Sequence, residues 1–196
     1  VEEVGIGFMF APAFNKSMRF VGKARAEMGI RSIFNILGPL ANPSGAKRQL
    51  IGVYSPKLTE VIAKALSQLG VERALVVSSA NGMDEISTVE DTHISELKNG
   101  KVITYIITPE QYGFKRVTAE ELKGADGEEN AKITKAVLSG RDKGAKRDIV
   151  LFNAGAALFV GGMAESIEGG IQLAKETIDS GRAIEKLETL VEFSNK

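Results

Sequence analysis

Cysteine and tryptophan are absent from these 196 residues, and histidine occurs once. Without cysteine there is no disulfide, no thiolate metal site and no cysteine nucleophile. A single histidine, His93, leaves serine-triad chemistry and histidine-rich metal sites without their parts. His93 falls on the polar phase of a strand-like alternation, where a surface position is expected. Charge of one sign is also missing. Lys+Arg and Asp+Glu number 25 each, so no global field marks a nucleic-acid or membrane surface. No apolar run is long enough to span a bilayer, because residues 4–14 form a short stretch broken by glycine and proline. No secretory signal is visible, and a reducing, cytoplasmic setting is the expectation. The sequence has no P-loop and no G-x-S-x-G elbow. Gly5-Ile6-Gly7 lacks the preceding strand and the third glycine of a dinucleotide fingerprint.

What is present fits a soluble α/β protein. Hydrophobic residues make up 43% and charged residues 26%, and the length supports one substantial core or two small ones. Glycine is plentiful at 21 residues, so close backbone approaches are expected. Residues 1–50 hold seven basic and three acidic side chains, a net +4 that the remainder balances. That excess reads either as a solvated basic face or as a site for an anionic ligand.

Strand-like and helix-like segments alternate along the chain. Residues 49–54 read as a buried strand running into Ser55-Pro56, an N-cap followed by proline at the first helical position. Leu58, Val61, Ile62, Ala65, Leu66 and Leu69 then mark one helical face, closed by Gly70. Residues 74–78 form a second buried strand, so the unit is βαβ and its two strands are expected to be parallel. Short strands follow at 86–89, 92–97 and 102–108, with Lys98-Asn99-Gly100-Lys101 as a hairpin turn. Asp126 and Glu129 open a helix that Gly140 stops. Residues 148–161 are apolar on nearly all sides and predict a central buried helix. Ser166 caps the next helix, with Ile167, Ile171, Ala174 and Ile178 inward, and residues 182–193 form the last, with Ile184, Leu187 and Val191 inward. Residues 13–28 look helical, and 30–37 form an apolar run ended by Gly38-Pro39. The expected architecture is therefore α/β, a mostly parallel sheet with flanking helices. Residues 1–45 would form a hinge segment and 46–196 the α/β domain.

Two clusters could carry chemistry. Asn81-Gly82-Met83-Asp84-Glu85 lies just beyond the strand 74–78, and ligands of parallel sheets gather outside the carboxyl ends of strands. A glycine-containing loop there can turn both carboxylates toward one point, which suits Mg²⁺ shared with water and phosphate. The plain alternative is a solvated loop, just as helix capping accounts for Glu128-Glu129. Arg25 and Arg31 bracket Gly29 and either stabilise a helix end or offer a fork for a carboxylate or phosphate. Gly38-Pro39 could then wall a flat ligand.

The run Gly29-Ile30-Arg31-Ser32-Ile33-Phe34-Asn35-Ile36-Leu37-Gly38-Pro39-Leu40-Ala41-Asn42-Pro43 resembles the signature of the anthranilate phosphoribosyltransferase family. So do Gly45-Ala46-Lys47-Arg48-Gln49, Gly52-Val53-Tyr54-Ser55-Pro56 and Gly82-Met83-Asp84-Glu85-Ile86-Ser87. The resemblance covers nearly the whole chain. It implies a nucleoside phosphorylase/phosphoribosyltransferase-like C-terminal domain and an enzyme of tryptophan biosynthesis. Such an enzyme transfers the phosphoribosyl group of phosphoribosyl pyrophosphate (PRPP) to anthranilate with Mg²⁺. By the same resemblance Arg25 binds the anthranilate carboxylate beside Gly38 and Pro39, Asn15 stands where the family often has histidine, and Asp84 and Glu85 hold Mg²⁺. It implies a cytoplasmic homodimer as the full-length parent, with neither membrane nor nucleic acid as partner. The family's Gly-Thr-Gly-Gly-Asp phosphate loop and Lys-His-Gly-Asn-Arg segment do not occur in this sequence. The chain is therefore expected to be a C-terminal portion, inactive alone. The alternative is a noncatalytic relative that binds nucleic acid through the basic N-terminal region. A pyrimidine nucleoside phosphorylase shares the fold, but the signature at 35–43 argues against it.

Overall fold

The structure is a computed structural model that describes residues 1–8, 40 and 44–195. Asn15, Arg25, Arg31, Gly38 and Pro39 lie outside the described residues, as does the helix expected at 13–28. The chain divides into two compact units, Val1–Ala46 with Lys186–Lys196, and Lys47–Glu185. In the first, the Lys186 ammonium donates to the carbonyl of Val4 at 2.7 Å. The second contains the sheet.

Strand β1 (Arg48–Gly52) leads into helix α1 (Pro56–Gln68), which returns the chain to β2 (Arg73–Ser79), parallel to β1 with Leu50 opposite Leu75. This is the expected βαβ unit. Ser55 takes the extended N-cap conformation, although its side chain makes no capping hydrogen bond, and Gly70 ends the helix at φ 79°. The buried face of α1 is rotated from the one that apolar spacing suggests. Thr59, Ile62, Ala63 and Leu66 face inward, while Val61 and Leu69 are each 59% exposed. Thr59 can be buried because its hydroxyl donates to the Pro56 carbonyl at 2.9 Å and accepts from the Ser95 hydroxyl at 2.9 Å. A polar residue with both needs met costs little to bury.

The mostly parallel sheet is corrected by the remaining ladders. Strand β3 (Thr92–Lys98) runs antiparallel to β2, and β4 (Lys101–Ile107) antiparallel to β3, giving the order β1-β2-β3-β4. Among the described residues the sheet is mixed. A parallel return needs a crossover, usually a helix. The connection from β2 to β3 holds no helix. Asn99 and Gly100 supply the two left-handed φ values, 52° and 72°, of a tight hairpin. The segment 86–89, expected to be a strand, is a loop.

After a 3-10 turn (Pro109–Tyr112) come α2 (Ala119–Leu122), α3 (Gly127–Leu138), α4 (Ala145–Gly161), α5 (Ile167–Asp179) and α6 (Arg182–Ser194). Asp126 caps α3 by accepting from the Glu129 amide, and Ser166 caps α5 by accepting from Gly169. Helix α4 starts three residues earlier than expected. It buries Leu151, Phe152, Gly155, Ala156 and Val160, while Val150 and Ala157 reach solvent. Phe152 sits between the rings of Tyr112 and Phe114, at 5.0 and 5.1 Å, in a core shared with Leu75, Val77, Ile86 and Ile94. Helix α5 meets α4 backbone to backbone: a Cβ on Gly170 would stand 2.1 Å from the Gly155 carbonyl oxygen. Helix α6 buries none of its described residues. Ile184 and Leu187 are half-buried, and Val191, expected inward, is exposed. No helix among the described residues is long and apolar enough to cross a membrane.

Candidate functional site

The acidic pair stands where β1 and β2 end. At the last residue of β2, the Ser79 amide donates to the Met83 carbonyl, and the Gly82 amide donates back to the Ser79 carbonyl, each at 2.9 Å. Asn81 accepts from the Ser79 hydroxyl at 2.7 Å, and Gly82 adopts φ 86°, a value that side chains disfavour. This turn reverses the chain so that Asp84 passes over the end of β1. There a Cβ on Gly52 would lie 1.5 Å from the Asp84 carbonyl oxygen. Glycine at the end of β1 is what lets the loop settle against the strand.

Beyond the pair, backbone amides are held by side chains instead of a neighbouring strand. The Ile86 amide donates to Asn153 Oδ1 at 2.9 Å, and the Asn153 amide returns a bond to the Ile86 carbonyl at 2.8 Å. The Ser87 amide donates to the Thr92 hydroxyl at 3.0 Å. The Ser87 hydroxyl accepts from the amides of Val89 and Glu90 at 2.9 and 3.3 Å. That is why 86–89 is not a strand despite its strand-like pattern. Its backbone needs are met by side chains, by Ser87 and Thr92 from within the loop region and by Asn153 from α4, and the fully buried Ile86 still enters the core.

Asp84 and Glu85 are exposed, and neither joins an ion pair among the described residues. Desolvation, and secondarily the like charge of Asp84, raises the Glu85 carboxyl above its ordinary value. Other acids are committed elsewhere. Arg116 pairs with Asp91, with Glu110 at 2.7 Å and with Glu90 at 3.6 Å. Glu128 and Glu129 are matched by Lys132 at 3.2 and 3.5 Å, besides opening α3. Two adjacent carboxylates that repel one another, with no ion-pair partner among the described residues, form a donor set that a hard cation would relieve. Among the described residues no group of three or more His, Cys, Asp or Glu could hold a metal. A cation here would take its remaining ligands from water and substrate, as Mg²⁺ commonly does.

Other candidates stand apart from this chemistry. His93 is half-buried on β3 between Ser78 and Ile106. A cleft of about 400 Å³ opens between α3 and α4, walled by Ile133, Val137, Lys146 and Ile149, and the acidic pair does not line it. Asp84 and Glu85 are thus the described members of the expected site, and the acceptor residues lie outside the description. Gly52 enters the sequence reading only within the resemblance, and Asn153 does not enter it. The available signals are a glycine inside a strand-like run, which implies close backbone approach, and one carboxamide in an apolar helix.

Residues 1–184 match the model of the glycosyl transferase family, a/b domain. The chain belongs to that family. This glycosyl transferase domain is 53% identical over 195 residues to the anthranilate phosphoribosyltransferase of Acetivibrio thermocellus, covering 100% of this chain and 56% of that protein. It is 49% identical to the enzyme of that name from Methanosarcina barkeri, covering 100% and 53%. Among solved structures it superposes on the anthranilate phosphoribosyltransferase of Thermus thermophilus with a TM-score of 0.92 and 42% identity, over 100% of this chain and 57% of that one. It also matches the Saccharomyces cerevisiae enzyme in complex with PRPP and Mg, with a TM-score of 0.83 and 30% identity, over 92% and 52%. The domain therefore spans little more than half the length of the relatives it matches.

Proposed function

We propose that this chain is part of an anthranilate phosphoribosyltransferase of tryptophan biosynthesis, and that Asp84 and Glu85 hold the Mg²⁺ of its PRPP site. The observation that carries the reading is the acidic pair set on Gly52 at the carboxyl ends of β1 and β2, free of ion pairs among the described residues. High identity to enzymes of that name supports the reaction. In it, the anthranilate nitrogen forms a bond to the ribosyl carbon, the bond from that carbon to pyrophosphate breaks, and the nitrogen sheds a proton. Bound Mg²⁺ would supply positive charge against the negative charge that develops on pyrophosphate.

The residues of this chain do the positioning. Asp84 and Glu85 offer two oxygen donors on a backbone fixed before the ligand arrives, which avoids reorganisation during the reaction. By the family resemblance, Arg25 takes the anthranilate carboxylate in a bidentate fork, Gly38 and Pro39 form a flat wall, and Asn15 donates a hydrogen bond without carrying charge. The ribosyl carbon gains positive character as its bond breaks, so alignment of the amine counts for more than a strong base. We take the parent enzyme to be a cytoplasmic homodimer by the same resemblance. The test is a protein of the relatives' full length carrying this chain, given PRPP, Mg²⁺ and anthranilate. Loss of anthranilate fluorescence that needs all three is expected. Its absence in a folded, Mg²⁺-supplied protein would contradict the assignment.

A further inference from the structure

Helix α4 reaches the acidic loop through one side chain. Asn153 uses both of its side-chain N–H groups and its oxygen: Oδ1 accepts from the Ile86 amide at 2.9 Å, while Nδ2 donates to the Ile86 carbonyl at 2.8 Å and to the Ile149 carbonyl of its own helix at 3.0 Å. Those three bonds fix the orientation of the amide, since a flipped group would face two acceptors with its oxygen and a donor with its nitrogen. Asn153 therefore imitates a neighbouring strand for a single residue, the one that follows Glu85. On the opposite side Gly52 seats the carbonyl of Asp84. The backbone from Asp84 to Ile86 is gripped from two directions, by the end of β1 and by α4.

We infer that Asn153 is a positioning residue for the acidic pair: it locks the Ile86 backbone so that the carboxylates of Asp84 and Glu85 stand side by side for a divalent cation. The inference rests on the proposed cation role of that pair. Asn153 touches no ligand itself. It sets the direction in which the chain leaves Glu85, and without it Ile86 would have a buried amide and carbonyl unmet, so the loop would shift to recover them.

The probe is Mn²⁺, titrated into the 196-residue chain and followed by the electron paramagnetic resonance signal of the free ion. Circular dichroism and thermal melting are recorded on every variant. Asn153→Leu keeps the side-chain size and removes all three bonds. In folded protein it is expected to weaken Mn²⁺ binding about tenfold or more. A merely structural role would lower the melting temperature and leave the affinity of the folded protein unchanged, and that result would overturn the inference. Should Asn153→Leu not fold, Asn153→Asp decides. It retains an acceptor for the Ile86 amide, loses both donated bonds and brings extra negative charge, which by electrostatics alone tightens cation binding. Weaker binding despite that charge supports the inference, and equal or tighter binding overturns it. The combined variant Asp84→Asn with Glu85→Gln separates the two claims. If it binds Mn²⁺ like the wild type, the reading of the acidic pair fails and takes the inference with it. If it loses binding while the folded Asn153 variants keep theirs, only the role of Asn153 falls.

Discussion

A methyl group at position 52 would fall on the carbonyl oxygen of Asp84, 1.5 Å from where its own carbon must sit. Neither partner is the end of a flexible side chain, so Gly52→Ala has to push the loop off the strand. We expect a loss of about 1–3 kcal/mol in chemical denaturation, together with weaker Mn²⁺ binding. Wild-type stability and affinity would show that the loop has room to give. For single residues the sequence suggests the proposed ligands more readily than the groups that support them. Asp84 and Glu85 stand out as candidates because they follow a buried strand and a glycine turn, where adjacent acids elsewhere in the sequence do not. The function of Gly52 depends on a contact with residue 84, and that of Asn153 on contacts with residue 86. Neither contact has a local pattern, since each involves backbone atoms that only the fold brings within reach.

Between elements, the start of α4 is tied to the end of α5 by Asp179, whose Oδ1 accepts from Arg147 at 2.7 Å and from Lys143 at 3.1 Å. These contacts, the Lys143 hydrogen bond foremost, hold the Asp179 carboxyl below its ordinary value of 3.8. A depressed folded-state pKa contributes stability that is complete above the unfolded value and disappears as pH falls through the folded one. Asp179→Asn is therefore expected to melt below the wild type at pH 7, and the gap should close in acid below 3.8. A gap of equal size at both pH values would contradict an ionic tie. Arg147 makes the loss felt, because it is only 7% exposed and would be left without its carboxylate. Elements themselves were largely readable. Proline after Ser55, the Asn99-Gly100 turn and the caps at Asp126 and Ser166 are local signals, and the structure follows them. The direction of β3 against β2 and the facing of α1 were not readable, whereas the antiparallel β3–β4 pair follows from its hairpin turn. The direction depends on how residues 80–91 use their hydrogen bonds, and the facing on a Thr59 hydroxyl satisfied from β3.

At the scale of the molecule, the chain matches enzymes nearly twice its length. Its own sequence holds no glycine-rich phosphate loop, and PRPP brings several negative charges that need such a cradle. We expect the 196 residues alone to fold, by circular dichroism and a cooperative melt, yet to leave anthranilate fluorescence unchanged with PRPP and Mg²⁺. Full activity from the chain alone would contradict this. The family was legible because its signature is long and composed of several parts, whereas composition excludes classes of function without choosing among those left. The role proposed for Asp84 and Glu85, holding the cation of the PRPP site, underlies the other expectations. Its most direct test is steady-state phosphoribosyl transfer by a protein of family length, comparing the wild type with the Asp84→Asn, Glu85→Gln double variant across a range of Mg²⁺ concentrations. An unchanged fold and turnover lower by about a hundredfold or more are expected. A double variant that keeps the wild-type rate and the wild-type dependence on Mg²⁺ and PRPP would contradict it.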